Sequence, residues 1–308
     1  MNDISDPSAA SVRHRAGASG LLPHGYANQE EVDRDYNPRL RAIDLEGVLG
    51  HYRQQSEAAR RALPYRAGIA YGPTRAETLD IVPAERPDAP VFLYLHGGYW
   101  RANAARDFSH MAMGAHALGY TTVLVDYALC PTVTLDEIVR QVRAAAAWVL
   151  RHIAAWNGDP RRIVVGGHSA GGHLGAMLLC TPWQERYDLP DDPFAGAILV
   201  SGLFDIAPLR YSYLQPAIQL DEGLVARNSP MLRARPCRTP MVLTWGGLEQ
   251  PAFERQSAGM YRAWLAAGNP AQLMPQPEAD HFTAIGGFER PDSALCTAMK
   301  AMAESTRG

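Results

Sequence analysis

A serine flanked by glycines lies within residues 166–172, which read Gly-Gly-His-Ser-Ala-Gly-Gly. The preceding segment 162–165 is apolar and β-branched at its last three residues, which is typical of a buried strand, and the residues that follow favour a helix. A G-x-S-x-G sequence between a strand and a helix forms a sharp turn that exposes the serine hydroxyl. We therefore predict that Ser169 is a nucleophile, and that a Cβ at Gly167 or Gly171 would collide with neighbouring backbone.

A serine hydroxyl attacks a carbonyl only when a base removes its proton, and a carboxylate must orient that base. After a turn of this kind, the chain order is serine, then Asp or Glu, then His. His281 follows the last predicted strand in a loop, whereas His173 lies one helical turn past Ser169 and would be carried away from the reacting atoms. We predict that His281 is the base.

The acidic partner of His281 is expected after the strand that precedes the last one. The apolar residues 241–245 lead into a loop that carries Glu249, and we favour this carboxylate. Asp205, which follows an earlier strand, is the alternative. Asp280 is too close to His281 in sequence to orient its ring.

An oxyanion hole is predicted at residues 96–100, which read His-Gly-Gly-Tyr-Trp directly after an apolar strand. Glycines allow backbone N–H groups to approach a substrate oxygen with no Cβ in the way. We expect Gly97, Gly98 and Ala170 to supply these donors, with the Tyr99 N–H as a further candidate. His96 is expected to form structural hydrogen bonds and Trp100 to pack in the core.

The long segment 203–239 lies between two predicted strands and interrupts the alternation of strands and helices. Such an insertion would lie over the carboxyl ends of the strands, where open sheets bind ligands. We interpret it as a lid or as a wall of the substrate pocket, and a helical packing insertion is the alternative. The side chains expected to contact substrate are Tyr99, His168, Tyr211, Tyr213 and Phe282.

These residues must be positioned by a sheet with helices around it. Apolar runs predict strands at 67–71, 78–82, 91–95, 121–125, 162–165, 194–201, 241–245 and 271–274. Helices are expected at 45–63, 104–118, 134–157, 252–267 and 292–304. The alternation predicts an α/β fold with a mainly parallel sheet and helices on both faces. We expect residues 1–25 to form a flexible tail and residues 26–308 to form one domain.

The composition excludes several classes of protein. The chain has 308 residues, of which 47% are hydrophobic, and its net charge is 29 − 32 = −3, without a dense basic stripe. Nucleic acids and anionic membranes are therefore poor candidate partners. No H-E-x-x-H motif or P-loop lysine is present, so no metal or other cofactor is expected.

The compartment and the oligomeric state are expectations from weaker signals. No apolar run has the length of a signal-peptide core or of a membrane span. The four cysteines (Cys130, Cys180, Cys237 and Cys296) are far apart, which favours buried free thiols in a reducing compartment. We expect a cytoplasmic protein that acts on a small molecule and that could form a homodimer.

Taken together, these motifs resemble the α/β-hydrolase superfamily and, more narrowly, its serine-dependent kynurenine formamidase (arylformamidase) group. The resemblance is carried by segments 96–100, 126–135, 167–172 and 251–257, with weaker similarity at 36–39 and 228–230. It implies the α/β-hydrolase fold and hydrolysis of an N-formyl arylamine such as N-formylkynurenine. Formate would be released from a formyl-enzyme on Ser169. Glu249 occupies the position where that group commonly has Asp.

Two other functions are compatible with the same residues. A carboxylesterase for small acyl esters would use the same serine, base and oxyanion hole with a roomier pocket. A non-catalytic relative that only binds a small molecule would not need all of these groups together, so the intact set argues against it.

Overall fold

The computed structural model describes residues 21–305. Its strands are β1 (Arg66–Ala70), β2 (Thr78–Val82), β3 (Ala89–Leu95), β4 (Thr121–Val125), β5 (Gly158–His168), β6 (Gly196–Val200), β7 (Met241–Thr244) and β8 (Ala271–Leu273). Its α-helices are α1 (Gln29–Tyr36), α2 (Leu45–Ala62), α3 (Ala112–Ala117), α4 (Leu135–His152), α5 (Ala170–Leu179), α6 (Trp183–Tyr187), α7 (Gln215–Ile218), α8 (Glu222–Asn228), α9 (Pro251–Ala266) and α10 (Ala294–Ser305).

The strands form one eight-stranded sheet in the order β1-β2-β4-β3-β5-β6-β7-β8. Six neighbouring strands, from β4 to β8, are parallel, while β2 pairs antiparallel with both β1 and β4. The centre of the sheet is buried on both faces, because Val91, Leu93 and Leu95 join one hydrophobic cluster and Phe92 and Tyr94 join another. This arrangement explains why the strands are continuous apolar runs, and it confirms the predicted α/β fold.

Helices cover the two faces of the sheet separately. α4, α5 and α9 contribute to the first cluster, and α10 and the segment before α3 contribute to the second. α4 begins where predicted, since the Thr134 side chain accepts a hydrogen bond from the Glu137 N–H. Asn157, in the left-handed region at φ 63°, ends the 3₁₀ turn that follows α4.

The predicted single helix 104–118 is wrong in its first half. Ala105–Met111 form a 3₁₀ segment, and only Ala112–Ala117 are α-helical. Side chains of α2 form hydrogen bonds to carbonyl groups of this segment. The Ser56 hydroxyl donates to the Asp107 carbonyl at 2.8 Å, and Arg60 donates to the Arg106 carbonyl. These tertiary contacts replace α-helical hydrogen bonds, which the local sequence does not reveal.

The tail predicted over residues 1–25 lies mostly outside the described residues, but its last part belongs to the fold. Pro23–Gly25 form a 3₁₀ turn, and His24 Nε2 lies 2.9 Å from Asp205 Oδ2. The predicted tail is therefore too long at its C-terminal end.

The 203–239 segment is mainly a packing insertion. It contains α7, α8 and two 3₁₀ turns, and its apolar side chains, such as Phe204, Leu209 and Leu214, are buried in the first cluster. For most of the segment, this placement fits a helical packing insertion rather than a lid.

The cysteines agree with the expectation of buried thiols, because all four are free and buried. None of the helices between residues 21 and 305 is long and apolar enough to cross a bilayer. Over the same residues, no group of three His, Cys, Asp or Glu side chains is arranged to hold a metal ion.

Candidate active site

Ser169 lies in the turn between β5 and α5, in a strained backbone conformation (φ 55°, ψ −117°). The turn is so tight that a Cβ at Gly167 would lie 2.2 Å from the Gly171 carbonyl oxygen. A Cβ at Gly171 would lie 1.9 Å from the Leu95 carbonyl oxygen, so both predicted collisions occur. The Ser169 N–H is bound by the Val200 carbonyl at 2.8 Å, which fixes the turn to β6.

The structure brings Glu249 and His281 into direct contact. His281 Nδ1 lies 2.6 Å from Glu249 Oε2, and both side chains are buried. This hydrogen bond leaves His281 Nε2 free to act on a proton, which is the tautomer that a general base requires. The His281 ring also contacts the rings of Phe253 and His168, with centroids 4.5 and 4.6 Å away.

The second oxygen of Glu249 is held by two donors. The Ser201 hydroxyl donates to Glu249 Oε1 at 2.5 Å, and the Gly246 N–H donates to the same oxygen at 2.6 Å. Ser201 is fully buried and has φ 50°, an uncommon conformation for a residue with a Cβ. The sequence analysis missed this serine, because a single serine after a strand carries no distinguishing signal.

The alternative residues have other partners. The Asp205 carboxylate binds His24 and accepts the Ala207 N–H at 3.0 Å, and these hydrogen bonds outweigh burial and lower its pKa. The Asp280 carboxylate accepts backbone N–H groups from Ile43, at 2.8 Å, and from residues 282 and 283. The His173 ring packs against Trp100, and its two nitrogens are hydrogen-bonded to Trp100 and the Asn228 carbonyl. Glu249 is therefore the carboxylate that the fold delivers to His281.

The predicted oxyanion loop follows β3 directly. The described residues offer no hydrogen-bond acceptor to the N–H groups of Gly97, Gly98 and Ala170, so these donors are available to a ligand. Gly98 has φ 121°, and a Cβ there would lie 2.3 Å from the Ala102 carbonyl oxygen. His96 is structural, since its Nδ1 lies 2.8 Å from the Gly97 carbonyl oxygen and burial lowers its pKa to about 4.

His168, the residue before the serine, supports the loop that carries His281. Its Nε2 lies 2.9 Å from the His281 carbonyl oxygen and must donate the proton, because a carbonyl only accepts. Burial and the neighbouring His281 lower the pKa of His168 well below its usual value, so the ring is neutral. Its Nδ1 has no partner among the described residues.

One pocket of about 400 Å³ contains both Ser169 and His281. Of the predicted contact residues, Tyr99, His168, Tyr213 and Phe282 line it. Tyr211 does not, because it lies on the 3₁₀ turn before α7, where Arg210 covers its ring at 5.7 Å. The remaining lining residues include a group near the amino end of the described chain, which the sequence analysis did not assign: Asn37, Pro38, Arg39, Leu49, Tyr52 and Arg53.

Three arginines distinguish the pocket from a simple apolar cleft. Arg39, Arg53 and Arg101 line it and are exposed, and none of them forms an ion pair with an acidic side chain of residues 21–305. The guanidinium of Arg101 lies 6.0 Å from the Tyr213 ring. We call these three arginines the arginine rim. Asp107 is the acidic residue of the lining, so the pocket lining has an excess of positive charge.

Comparison with known proteins places this geometry in a family. The family model BD-FAE matches residues 79–195. A kynurenine formamidase of Danio rerio is 30% identical over 271 residues, which cover 84% of this chain and 90% of the fish protein. Esterase LipQ of Mycobacterium tuberculosis is 32% identical over 180 residues, which cover 50% of this chain and 42% of that protein.

A solved structure from Silicibacter, described provisionally as a thioesterase, has the same fold. Its TM-score is 0.76 at 27% identity, and the match covers 88% of this chain and 99% of that chain.

Proposed function

The chain belongs to the kynurenine formamidase family of serine-type α/β-hydrolases, and on that premise we propose that it hydrolyses an N-formyl arylamine that carries a carboxylate, as N-formylkynurenine does. The observation that carries this proposal is the set of unpaired arginines around the pocket of Ser169. A pocket for neutral esters has no need of three guanidinium groups that lack an ion-pair partner, whereas a carboxylate pairs well with them.

Acylation begins when His281 takes the proton of the Ser169 hydroxyl and the oxygen attacks the formyl carbon. The resulting oxyanion is bound by the free N–H groups of Gly97, Gly98 and Ala170, aided by the amino end of α5. Glu249 stabilises the imidazolium that forms on His281. The imidazolium then donates its proton to the arylamine nitrogen, the C–N bond breaks, and the arylamine leaves.

Deacylation repeats the same steps with water in place of the serine. His281 takes a proton from the water, the hydroxide oxygen attacks the formyl-enzyme, and the same donors hold the second oxyanion. Collapse of this intermediate breaks the bond to the Ser169 oxygen, which takes the proton from His281, and formic acid is released and ionises to formate in solvent.

The two sides of the pocket suit a small acyl group and an aromatic leaving group. Tyr99 occupies the third position of the oxyanion loop, where a glycine would leave more room, and its hydroxyl is bound to the Tyr36 carbonyl. The ring is therefore fixed and narrows the acyl side. Aromatic side chains form much of the remaining wall: Tyr52, Phe108, Tyr213 and Phe282.

A carboxylesterase for small acyl esters is the second candidate. It is favoured by the similarity of half of the chain to an esterase, and the serine, base and oxyanion donors would serve both reactions. The two candidate functions differ in how the enzyme binds the leaving group, because the neutral alcohol of an ester has no charge that could pair with the arginines.

The test compares kcat/KM for N-formylkynurenine and for p-nitrophenyl acetate, with Ser169→Ala as the control that should lose both activities. We expect the formamide to be preferred by about a hundredfold, which is about 2.7 kcal/mol in transition-state binding. The ester is chemically the more reactive substrate, so such a preference requires specific recognition. Equal or reversed values, both lost in Ser169→Ala, would favour the esterase.

A further inference from the structure

The oxyanion loop adopts a conformation that its own residues disfavour. Tyr99 and Trp100 have φ values of 49° and 57°, which places two consecutive residues with a Cβ in the left-handed region. Such a conformation persists only where surrounding contacts hold it. The loop must keep this shape if the N–H groups of Gly97 and Gly98 are to point at the same place.

One of these contacts joins the loop to the nucleophile helix. The Trp100 indole Nε1 donates to His173 Nδ1 at 3.2 Å, and the two ring centroids are 4.9 Å apart in an edge-to-face arrangement. Both side chains are buried, with exposures of 1% and 0%. His173 stands on α5, the helix that begins immediately after Ser169.

The tautomer of His173 is fixed from its other side. Its Nε2 lies 2.7 Å from the Asn228 carbonyl oxygen, so Nε2 carries the proton and Nδ1 offers its lone pair to Trp100. Burial lowers the pKa of His173 to about 4, so the ring stays neutral at physiological pH.

Asn228 is itself anchored at the end of α8. Its side-chain amide donates to Asp136 Oδ1 at 2.7 Å and to the Leu224 carbonyl at 3.0 Å. The Asp136 carboxylate in turn pairs with Arg227 at 2.8 Å. The 203–239 insertion therefore supplies the fixed point against which His173 is held.

We propose that His173 is a positioning residue that holds the strained oxyanion loop through Trp100, and thereby aligns the oxyanion donors with Ser169. His173 touches no substrate and moves no proton. The inference rests on the oxyanion hole assigned under the proposed function, but not on the identity of the substrate.

The test measures how tightly the enzyme holds an oxyanion. 2,2,2-Trifluoroacetophenone gives an oxyanion adduct with a catalytic serine, so its Ki reports on the hole, while kcat/KM for p-nitrophenyl acetate reports on the transition state. The variants are Trp100→Phe, His173→Phe and the double variant. Trp183→Phe is the matched control, because it removes a buried indole N–H on α6 that donates to the Leu178 carbonyl at 2.9 Å, at the end of α5 farther from Ser169.

We expect Trp100→Phe and His173→Phe each to raise Ki and to lower kcat/KM by the same factor, about tenfold or more. The double variant should lose no more activity than the less active of the two single variants, because both changes remove the same Trp100–His173 contact. Trp183→Phe should leave Ki unchanged. A purely structural role would lower the melting temperature of all three single variants without a selective change in Ki, and additive losses would also overturn the proposal.

Two further results keep the inference separate from its premise. His173→Phe leaves the Asn228 carbonyl without a donor, and this variant could fail to fold for that reason. In that case the comparison of Ki between Trp100→Phe and Trp183→Phe tests the positioning role by itself. Gly98→Ala should raise Ki strongly, since its Cβ would meet the Ala102 carbonyl oxygen. If Gly98→Ala leaves Ki unchanged, the assigned oxyanion hole is wrong and the positioning role falls with it. A large effect in Gly98→Ala without one in Trp100→Phe overturns the positioning role only.

Discussion

The Glu249–His281 pair and the arginine rim of the same pocket differ in their burial and in whether their charged groups are paired. Glu249 and His281 are buried, and each oxygen of the carboxylate has at least one donor within 2.6 Å. The rim side chains Arg39, Arg53 and Arg101 are exposed and have no acidic partner among residues 21–305. The pair is complete without a ligand, whereas the rim is not.

This difference indicates that the two regions contribute to different parts of the reaction, the buried pair to the chemical step and the rim to the choice of substrate. Groups that are already bonded and desolvated need no reorganisation during a reaction, which suits proton transfer and charge stabilisation. Unpaired charges at a pocket mouth gain their partner only when a ligand arrives, which suits selection of the substrate. Changes in the buried pair should therefore affect all substrates, and changes in the rim should affect only substrates that carry a carboxylate.

The largest effect is expected from Glu249→Gln, which keeps the shape of the side chain but removes its charge. We expect kcat to fall by about a thousandfold or more for both formamide and ester, because the imidazolium on His281 loses its stabilising partner. Steady-state kinetics on both substrates measures the change, and Asp205→Asn is the control that should stay within about twofold of the wild type. A large loss in Asp205→Asn instead would transfer the role of the acid to Asp205.

A selective effect is expected when the three rim arginines are replaced together by glutamine. The kcat/KM for N-formylkynurenine should fall by about ten- to a hundredfold at low salt, because the carboxylate loses its contacts with guanidinium groups that are exposed and therefore partly screened by solvent. The kcat/KM for p-nitrophenyl acetate should stay within about twofold. The triple variant Arg75→Gln, Arg86→Gln and Arg262→Gln, at three exposed arginines outside the pocket lining, controls for the same change in net charge. Equal losses on both substrates would mean that the rim is structural.

A smaller effect is expected from Ser201→Ala, which removes one of the donors to Glu249. A hydrogen bond to a charged group contributes about 1.5–3 kcal/mol. Because the Gly246 N–H still donates to the same oxygen, we expect a loss at the lower end of this range, about tenfold in kcat for both substrates. Ser257→Ala is the matched control, since this buried hydroxyl on α9 has no hydrogen-bond partner among the described residues. Equal kcat values for the two variants would show that Ser201 does not hold the carboxylate.

The smallest effect separates two neighbouring tyrosines. Tyr213→Ala should raise KM for the aryl formamide about three- to tenfold, because this ring lines the pocket. Tyr211→Ala should change KM less than twofold, because this ring lies outside the lining. The pair of KM values checks the prediction, and the reverse order would place the aryl group elsewhere.

The sequence predicts the parts of this molecule that depend on local pattern. Continuous apolar runs located the strands, and the glycines at 167 and 171 marked the places where backbone passes too close for a Cβ. The chain order of the fold then pointed to Glu249 and His281, which the structure brings to within 2.6 Å of each other.

The parts that the sequence did not predict depend on distant contacts. The wall formed by residues 37–53 reaches the pocket only because it packs against remote loops, as where the Ile43 N–H binds Asp280 and Arg41 binds the Glu249 carbonyl. Tyr211 and Tyr213 look equivalent in sequence, yet a 3₁₀ turn that ends at Tyr211 places only Tyr213 in the pocket. Neither outcome has a local sequence signal.

The most direct test of the central claim uses two substrates that differ only at the rim. N-formylkynurenine and N-(2-acetylphenyl)formamide share the formyl arylamine, but the second lacks the charged amino-acid tail. We expect kcat/KM to be about ten- to a hundredfold higher for N-formylkynurenine, with the ratio narrowing as salt screens the arginines. Equal kcat/KM values at low salt would contradict the account, because the rim would then play no part in choosing the substrate.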